Sequence, residues 1–315
     1  MHRLLTFLLL LAVLLPLTAE TELRFKHQGS SDYAEYYSTS SSFQSASLSK
    51  QLDERIFALQ SELGLYTSRK VQISVLNTPS EYHSLSRGKD KIVEFSDAFY
   101  SSAEQRIYIR SKQEIQESYL QVLVHEYLHW YLDQIFEETP LWFHEGMATY
   151  FAGQLGYERY LLFLQNSFWG KPGELLLPGN TYPKEQKDLQ SFYLSSYFAI
   201  KWMKEKNQAS WKTFWDITAQ SWRRGYKTEF SQSFRQAYGM EQWAFHFSFN
   251  KYTKRLSYQY LFVAINSIVL ALMPFVLILA ARKRRRKRAL LPDLPLPEEP
   301  VEQETPPDPD TPSQL

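Results

Sequence analysis

A charge-free apolar segment near the C-terminus constrains this chain more than any other feature of its sequence. The segment covers residues 260–281, is 22 residues long, and runs directly into the basic run RKRRRKR at residues 282–288. About 20 apolar residues suffice for a helix to cross a bilayer. Because clustered cations resist translocation, we predict a membrane helix at 258–281 with its C-terminal side in the cytoplasm. A basic run can also bind nucleic acid, but beside a membrane span it is typical of a stop-transfer signal.

The N-terminus has the layout of an export signal. Arg3 is followed by a leucine-rich run at residues 4–17 and then by small and polar residues. This pattern predicts a signal peptide over residues 1–19, with an uncut anchor as the alternative. The two apolar segments together predict a single-pass membrane protein with residues 20–257 outside the cytoplasm. That protein would lie in a bacterial inner membrane, facing the periplasm, or at a cell surface.

Charge and cysteine content exclude several classes of protein. The exported part holds 27 basic and 27 acidic residues, so no nucleic-acid partner is predicted. The absence of cysteine excludes disulfides, thiolate metal sites and a cysteine nucleophile. An exported domain without disulfides must be stabilised by its core, which 16% aromatic residues can supply.

Composition and periodicity predict the domain organisation. Residues 20–49 are serine-rich and read as a linker, whereas residues 50–257 have the periodic apolar pattern of a folded domain. Residues 282–315 combine the basic stop-transfer run with a tail rich in proline and acidic residues, which predicts disorder in the cytoplasm. A cytoplasmic partner of this tail is the alternative to a merely solvated segment.

Within the domain, the periodicities favour an α+β fold. A helix is predicted over 50–65, and alternating apolar residues predict strands over 70–77 and 105–111. Further helices are predicted over 118–136, 140–153, 157–168, 190–206, 210–221, 227–238 and 240–256. A small sheet followed by a mostly helical half is typical of α+β domains.

The stretch LVHEYLHWYLDQ, at residues 123–134, carries the clearest chemical signal. Its helix is apolar nearly all round and is therefore predicted to be buried. His125 and His129 are four residues apart, so they project from one face and can share a metal ion. Glu126 is rotated by about 100° around the axis, where its carboxylate can reach a metal-bound water. A metal would also satisfy polar groups that burial otherwise leaves without partners.

The next predicted helix offers a third ligand. PLWFHEGMATYF, at residues 140–151, places Glu145 near the start of an aromatic-rich helix that a short connection folds back against the first. Glu145 then completes a site for one Zn²⁺ with a position left for water. Zinc lowers the pKa of such a water to about 7, and Glu126 takes its proton as the water attacks a carbonyl.

These paired motifs resemble the gluzincin metallopeptidases, specifically the compact bacterial group called peptidase MA-like. HEYLH is followed, sixteen residues after His129, by the glutamate of the second motif. The resemblance covers roughly residues 71–256 and implies a thermolysin-like α+β domain with the active-site helix beneath a small sheet. It matches His125, His129 and Glu145 to the zinc ligands and Glu126 to the general base.

The same resemblance implies a tyrosine that hydrogen-bonds the oxyanion of the tetrahedral intermediate. FYLSSYFAIKWM, at residues 192–203, resembles the family's later helix, whose leading tyrosine falls on Tyr193. A glycine commonly found three residues further on is Ser196 here. Tyr197, one turn on, is the alternative donor, and both tyrosines could instead be core aromatics.

Other residues have weaker signals. Asp133 and Thr149 each lie one turn past a predicted ligand and could orient an imidazole. His144 lies about 100° around the helix from Glu145, so it is predicted to face substrate or to be packed. Residues 97–111 resemble the superfamily's substrate-side edge strand, with a plain structural strand as the alternative.

Residues and topology together predict a membrane-anchored, extracytoplasmic zinc metallopeptidase that hydrolyses peptide bonds in a peptide or protein substrate. The alternative is a non-enzymatic, metal-bound envelope protein of the same fold with a binding or assembly role. Glu126 argues against it, since a structural zinc site needs no base. An intramembrane protease is disfavoured because no long apolar span surrounds the motif. No acidic anchor for a free amino terminus is recognisable, which favours endopeptidase over aminopeptidase action.

Overall fold

The computed structural model describes most of the chain between the two predicted terminal segments. The described residues are 23–40, 46–86, 97–112, 118–154, 157–168 and 181–289. The predicted signal peptide at 1–19 and the tail from residue 290 onward lie outside them. Two compact units are present, one ending at Gln259 and one beginning at Tyr260.

A five-stranded mixed sheet belongs to the first unit. Its strands are β1 (Lys26–Ser30), β2 (Ala34–Ser38), β3 (Val71–Leu76), β4 (Ala98–Ser101) and β5 (Arg106–Arg110). Their order is β1-β2-β3-β5-β4, with β2, β3 and β5 parallel and the two outer pairs antiparallel. The strands predicted at 70–77 and 105–111 are confirmed as β3 and β5.

The prediction of a linker over residues 20–49 is wrong for part of this range, which contains strands β1 and β2. Ala34 and Tyr36 alternate with more exposed residues and are buried in the main core. Parallel pairing with β3, from Ala34 opposite Val71 to Ser38 opposite Val75, supplies the neighbour that holds β2 extended. Five residues give too short an alternation to stand out among the surrounding serines.

Helices cover both faces of this sheet. The first three are α1 (Ala46–Leu63), α2 (Pro79–Ser86) and α3 (Tyr119–Ile135). Ile107 and Ile109 of β5 point into the main core with α1 and α3, whereas Tyr108 between them packs with Tyr82 of α2 and Phe99 on the opposite face. The two-residue period of the strand therefore separates the two cores.

The rest of the described chain is mostly helical, which confirms the α+β class. Its helices are α4 (Leu141–Ala152), α5 (Tyr157–Phe168), α6 (Gln186–Lys206), α7 (Gln208–Arg223), α8 (Phe230–Tyr238) and α9 (Gln242–Ala289). Large aromatic side chains fill the core between them. Phe143 of α4, for example, packs edge-on against Phe230 of α8, with ring centroids 4.8 Å apart.

Helix α9 differs from the prediction in having no break between 240–256 and the apolar segment. From Tyr260 onward its side chains are exposed, including Phe262, Leu270 and Phe275. Among the described residues it is the one helix that is long and apolar enough to cross a membrane. The basic run at 282–288 continues the same helix.

Candidate metal centre

Helix α3 presents the two histidines on one face. Most of its side chains are buried because the helix runs between the sheet and α4, as its nearly continuous apolar sequence requires. His125 and His129 are among its partly exposed residues, each with a side chain 14% exposed. Their ring centroids are 4.8 Å apart, so both imidazoles face the same point in space.

Glu145 reaches that point from α4. Residues 136–140 turn the chain back, and Phe136 packs edge-on against Phe143 to fix the start of α4. The Glu145 side chain is 1% exposed, with Oε2 3.4 Å from His125 Nε2 and Oε1 3.6 Å from His129 Nε2. All three ligand atoms lie within 4.8 Å of one another, so the predicted convergence is confirmed and the group could hold a metal ion.

The charges of His129 and Glu145 suit a metal. Burial lowers the pKa of His129 to about 3, although Glu145 opposes the shift, so the imidazole is neutral. Burial would raise the pKa of Glu145, but His129 and His125 hold it below its ordinary value. For His125, the effect of burial is outweighed by the nearby charged carboxylate of Glu145, which raises the pKa of the imidazole. A neutral imidazole and a charged carboxylate are the forms that bind metal ions.

Hydrogen bonds orient one imidazole in a way that sequence reasoning did not predict. The Nδ1–H of His125 donates to Gln154 Oε1 at 2.8 Å, which leaves Nε2 directed at Glu145. Gln154 itself is held by its backbone N–H, which donates to the Thr149 carbonyl. Thr149 therefore contributes its backbone; its buried hydroxyl bonds neither imidazole, contrary to the predicted orienting role.

Two further predictions concern the surroundings of His129. His129 Nδ1 lies 3.4 Å from Nδ1 of His144, so His144 contacts a ligand imidazole as well as lining the cavity. Asp133 does not orient an imidazole through the hydrogen bonds in the described structure. Its Oδ2 instead accepts hydrogen bonds from Tyr100 Oη at 2.7 Å and Gln105 Nε2 at 2.8 Å, which tie the β4–β5 hairpin to α3.

Glu126 lies beside the group without joining it. Its side chain lines the same cavity, and its carboxylate accepts a hydrogen bond from the backbone N–H of Tyr100 in β4. Burial raises the pKa of Glu126 to about 7, although the charge of His125 opposes the rise. A carboxylate held near a metal centre by an edge strand is placed for proton transfer.

Of the tyrosines near the candidate ligands, some line the cavity and others pack in the core. Tyr193 lines the cavity, while Tyr197 packs against Tyr150, with ring centroids 5.5 Å apart, away from the cavity lining. Tyr182, which sequence reasoning missed, also lines the cavity and donates a hydrogen bond to Glu145 Oε1. A side-chain hydrogen bond links Tyr193 to Tyr182. Burial raises the pKa of both cavity tyrosines well above the ordinary value, so both hydroxyls keep their protons.

The cavity has a volume of ≈ 520 Å³ and runs along α3 beside β4. Ala98, Phe99 and Tyr100 of β4 form one wall. In the described sheet β4 is an edge strand, because its one partner there is β5. The predicted edge strand therefore lies next to the candidate metal ligands, although its binding of substrate remains a prediction.

The residues present fit a zinc ion. Zinc bonds of about 2.0–2.1 Å place tetrahedral ligand atoms roughly 3.4 Å apart. The distance between His125 Nε2 and Glu145 Oε2 is 3.4 Å, and all three candidate ligand atoms lie within 4.8 Å of one another. Glu145 Oε2 is buried and has no hydrogen-bond partner among the described residues, and a metal ion would satisfy it. No protein-family model matches the chain, and no curated protein matches it in sequence. Geometry and chemistry must therefore identify the function.

Proposed function

We propose that this chain is a membrane-anchored, extracytoplasmic zinc metallopeptidase of the gluzincin type. One observation carries the proposal: His125, His129 and Glu145 converge beside Glu126, a carboxylate that faces the same cavity but belongs to a different face of α3. A structural metal site closes its coordination with protein ligands and has no use for a free carboxylate, whereas a catalytic one keeps a position open.

The donor set favours zinc among the common metal ions. Two imidazole nitrogens and one carboxylate oxygen are frequent ligands of catalytic zinc, and the chain has no cysteine to offer a thiolate. When bound, zinc supplies a Lewis acid that lowers the pKa of a coordinated water to about 7.

Glu126 and Tyr193 then perform the proton transfer and charge stabilisation. Glu126 accepts the proton of the attacking water and delivers it to the nitrogen of the leaving amine, the role of a general base that becomes a general acid. Tyr193 keeps its hydroxyl proton and donates a hydrogen bond to the carbonyl oxygen as negative charge develops there. Tyr197 does not line the cavity, so it is not assigned this role.

The cavity suits an extended peptide. We expect a substrate to lie along β4, where main-chain hydrogen bonds would give affinity without requiring a particular sequence. The scissile carbonyl would then lie between β4 and α3, where Glu126 meets the backbone of Tyr100. Endopeptidase action fits this arrangement better than aminopeptidase action, because an internal segment can occupy the strand on both sides of the cleaved bond.

The C-terminal helix supplies the anchor. Its apolar part is followed by seven consecutive cations, which favour the cytoplasmic side of a membrane. The domain that precedes it would face the periplasm or the cell exterior. Substrates are thus expected among envelope or secreted proteins.

Replacing Glu126 by glutamine in the full-length chain in detergent tests the assignment. Glu126→Gln should retain one zinc per chain, measured by elemental analysis, and cleave a mixed peptide library roughly 10²–10⁴-fold more slowly than wild type, as judged by mass spectrometry. Glu54→Gln, the same change on the exposed face of α1, is the matched control and should cleave normally. A wild-type chain without metal, or a Glu126→Gln variant as active as wild type, would overturn the proposal. Zinc binding without cleavage by wild type would indicate the non-enzymatic alternative.

A further inference from the structure

Tyr182 occupies a position that the proposed catalytic roles do not use. It precedes α6, and its ring packs edge-on against Phe192, with ring centroids 6.5 Å apart. Its ring also lies tilted by 33° against Tyr193, with centroids 6.4 Å apart. These contacts direct its hydroxyl at the carboxylate of Glu145, to which it donates a hydrogen bond. Tyr182 thus touches a candidate metal ligand directly, with no hydrogen bond to either candidate ligand histidine among the described residues.

The two oxygens of Glu145 have different surroundings because of this contact. Oε1 accepts the Tyr182 hydroxyl, whereas Oε2 is buried, accepts no hydrogen bond among the described residues and lies 3.4 Å from His125 Nε2. A carboxylate that used both oxygens on one ion would fill a coordination position that a substrate or water needs. A hydrogen bond to Oε1 stabilises charge on that oxygen and leaves Oε2 for the metal.

We propose that Tyr182 is a positioning residue for Glu145. Because its hydroxyl donates a hydrogen bond to Oε1, Glu145 binds the metal through Oε2 alone. The inference rests on the proposed metal site. Tyr182 acts on the metal through Glu145, whereas Tyr193 acts on the substrate. The two neighbouring tyrosines therefore have separable effects, the first on metal affinity and the second on turnover.

Three tyrosine-to-phenylalanine variants of the full-length chain separate these effects. Zinc affinity is measured by competition with a chromophoric chelator. Tyr182→Phe should weaken zinc binding roughly 10–100-fold, as the loss of a hydrogen bond to a ligand does in other metal sites. Tyr193→Phe should bind zinc as wild type does and turn over more slowly at every zinc concentration. Tyr197→Phe, outside the cavity, is the control for both measurements. At saturating zinc, Tyr182→Phe should recover most of the wild-type turnover.

X-ray absorption at the zinc edge tests the inference on the wild-type chain, so the result does not depend on how a variant folds. The expected spectrum has four nitrogen or oxygen neighbours, with Glu145 contributing one. A five-coordinate zinc with both Glu145 oxygens bound would overturn the inference, as would unchanged zinc affinity in a folded Tyr182→Phe variant. If that variant kept its affinity but lost turnover, Tyr182 would act on the substrate instead, which also contradicts the inference. A wild-type chain that binds no zinc would overturn the metal site itself.

Discussion

Replacing Gly146 by alanine is expected to destabilise the fold and to disturb the metal centre. Gly146 follows Glu145 in α4, where this helix packs closely against α6. A Cβ at this position would overlap the carbonyl oxygen of Ser196, and would lie 2.6 Å from Ile200 Cγ1 and 2.9 Å from the Ser196 carbonyl carbon. The obstacle is mostly backbone, so relief requires the two helices to move apart.

The magnitude follows from two opposing effects. Alanine is favoured over glycine within a helix by about 1 kcal/mol. Overpacking costs about 1–3 kcal/mol and more where the structure cannot relax. Because the main obstacle is a carbonyl group of the 21-residue helix α6, we expect the upper end of that range and a net loss of about 2 kcal/mol. For a domain of this size, such a loss corresponds to a decrease of about 4–8 °C in melting temperature.

Thermal unfolding of the full-length chain in detergent, followed by tryptophan fluorescence, measures this effect. Gly29→Ala is the matched control, because a Cβ at Gly29 would meet no atom within 4 Å. Movement of α6 would also carry Tyr193 away from Glu145, so turnover should fall even at temperatures where Gly146→Ala is folded. A Gly146→Ala variant that melts at or above the wild-type temperature would refute the reasoning, since helix propensity would then outweigh the clash.

Two further predictions concern the groups around the ligands. Gln154→Leu removes the acceptor of the His125 Nδ1–H, so zinc affinity should fall roughly 10–100-fold in a chelator competition. An unchanged affinity would mean that other contacts orient the His125 ring. Tyr100→Phe removes the hydroxyl that ties β4 to Asp133, so KM for a cleaved peptide should rise while zinc affinity stays at the wild-type value. A loss of zinc affinity in Tyr100→Phe would contradict the assignment of this contact to the substrate side.

The convergence of the three candidate ligands was predictable because its signals are local. His125 and His129 are related by one helical turn, and the buried character of α3 follows from its composition. Glu145 required one additional inference, that a short connection returns α4 against α3. The strands β1 and β2 were not predictable in the same way. β2 is held extended by pairing with β3, more than 30 residues away, and β1 pairs in turn with β2. The serine-rich sequence around them carries no long apolar period.

Tyr182 and Gln154 carry no sequence signal for their contacts with the ligands. Gln154 follows the end of α4, and Tyr182 lies 37 residues after Glu145, so neither has a helical spacing to its partner. Both residues lie in irregular segments outside α3 and α4, the two helices that carry the candidate ligands. Side chains that support a metal centre are often of this kind, because ligands need a fixed relative position whereas a supporting hydrogen bond can come from any nearby segment.

The choice between Tyr193 and Tyr197 shows where helical periodicity stops being informative. The two residues are one turn apart on α6, so periodicity places both on nearly the same face. They differ by about 6 Å in height along the helix axis and by only about 40° around it. That height is set where α6 crosses α4, and the crossing is fixed by the space that Gly146 leaves for Ser196. Tyr193, one turn before this crossing, reaches the cavity, whereas Tyr197, just past it, packs against Tyr150. The absence of a side chain at Gly146 therefore permits the close crossing of α4 and α6, next to which Tyr193 reaches the cavity.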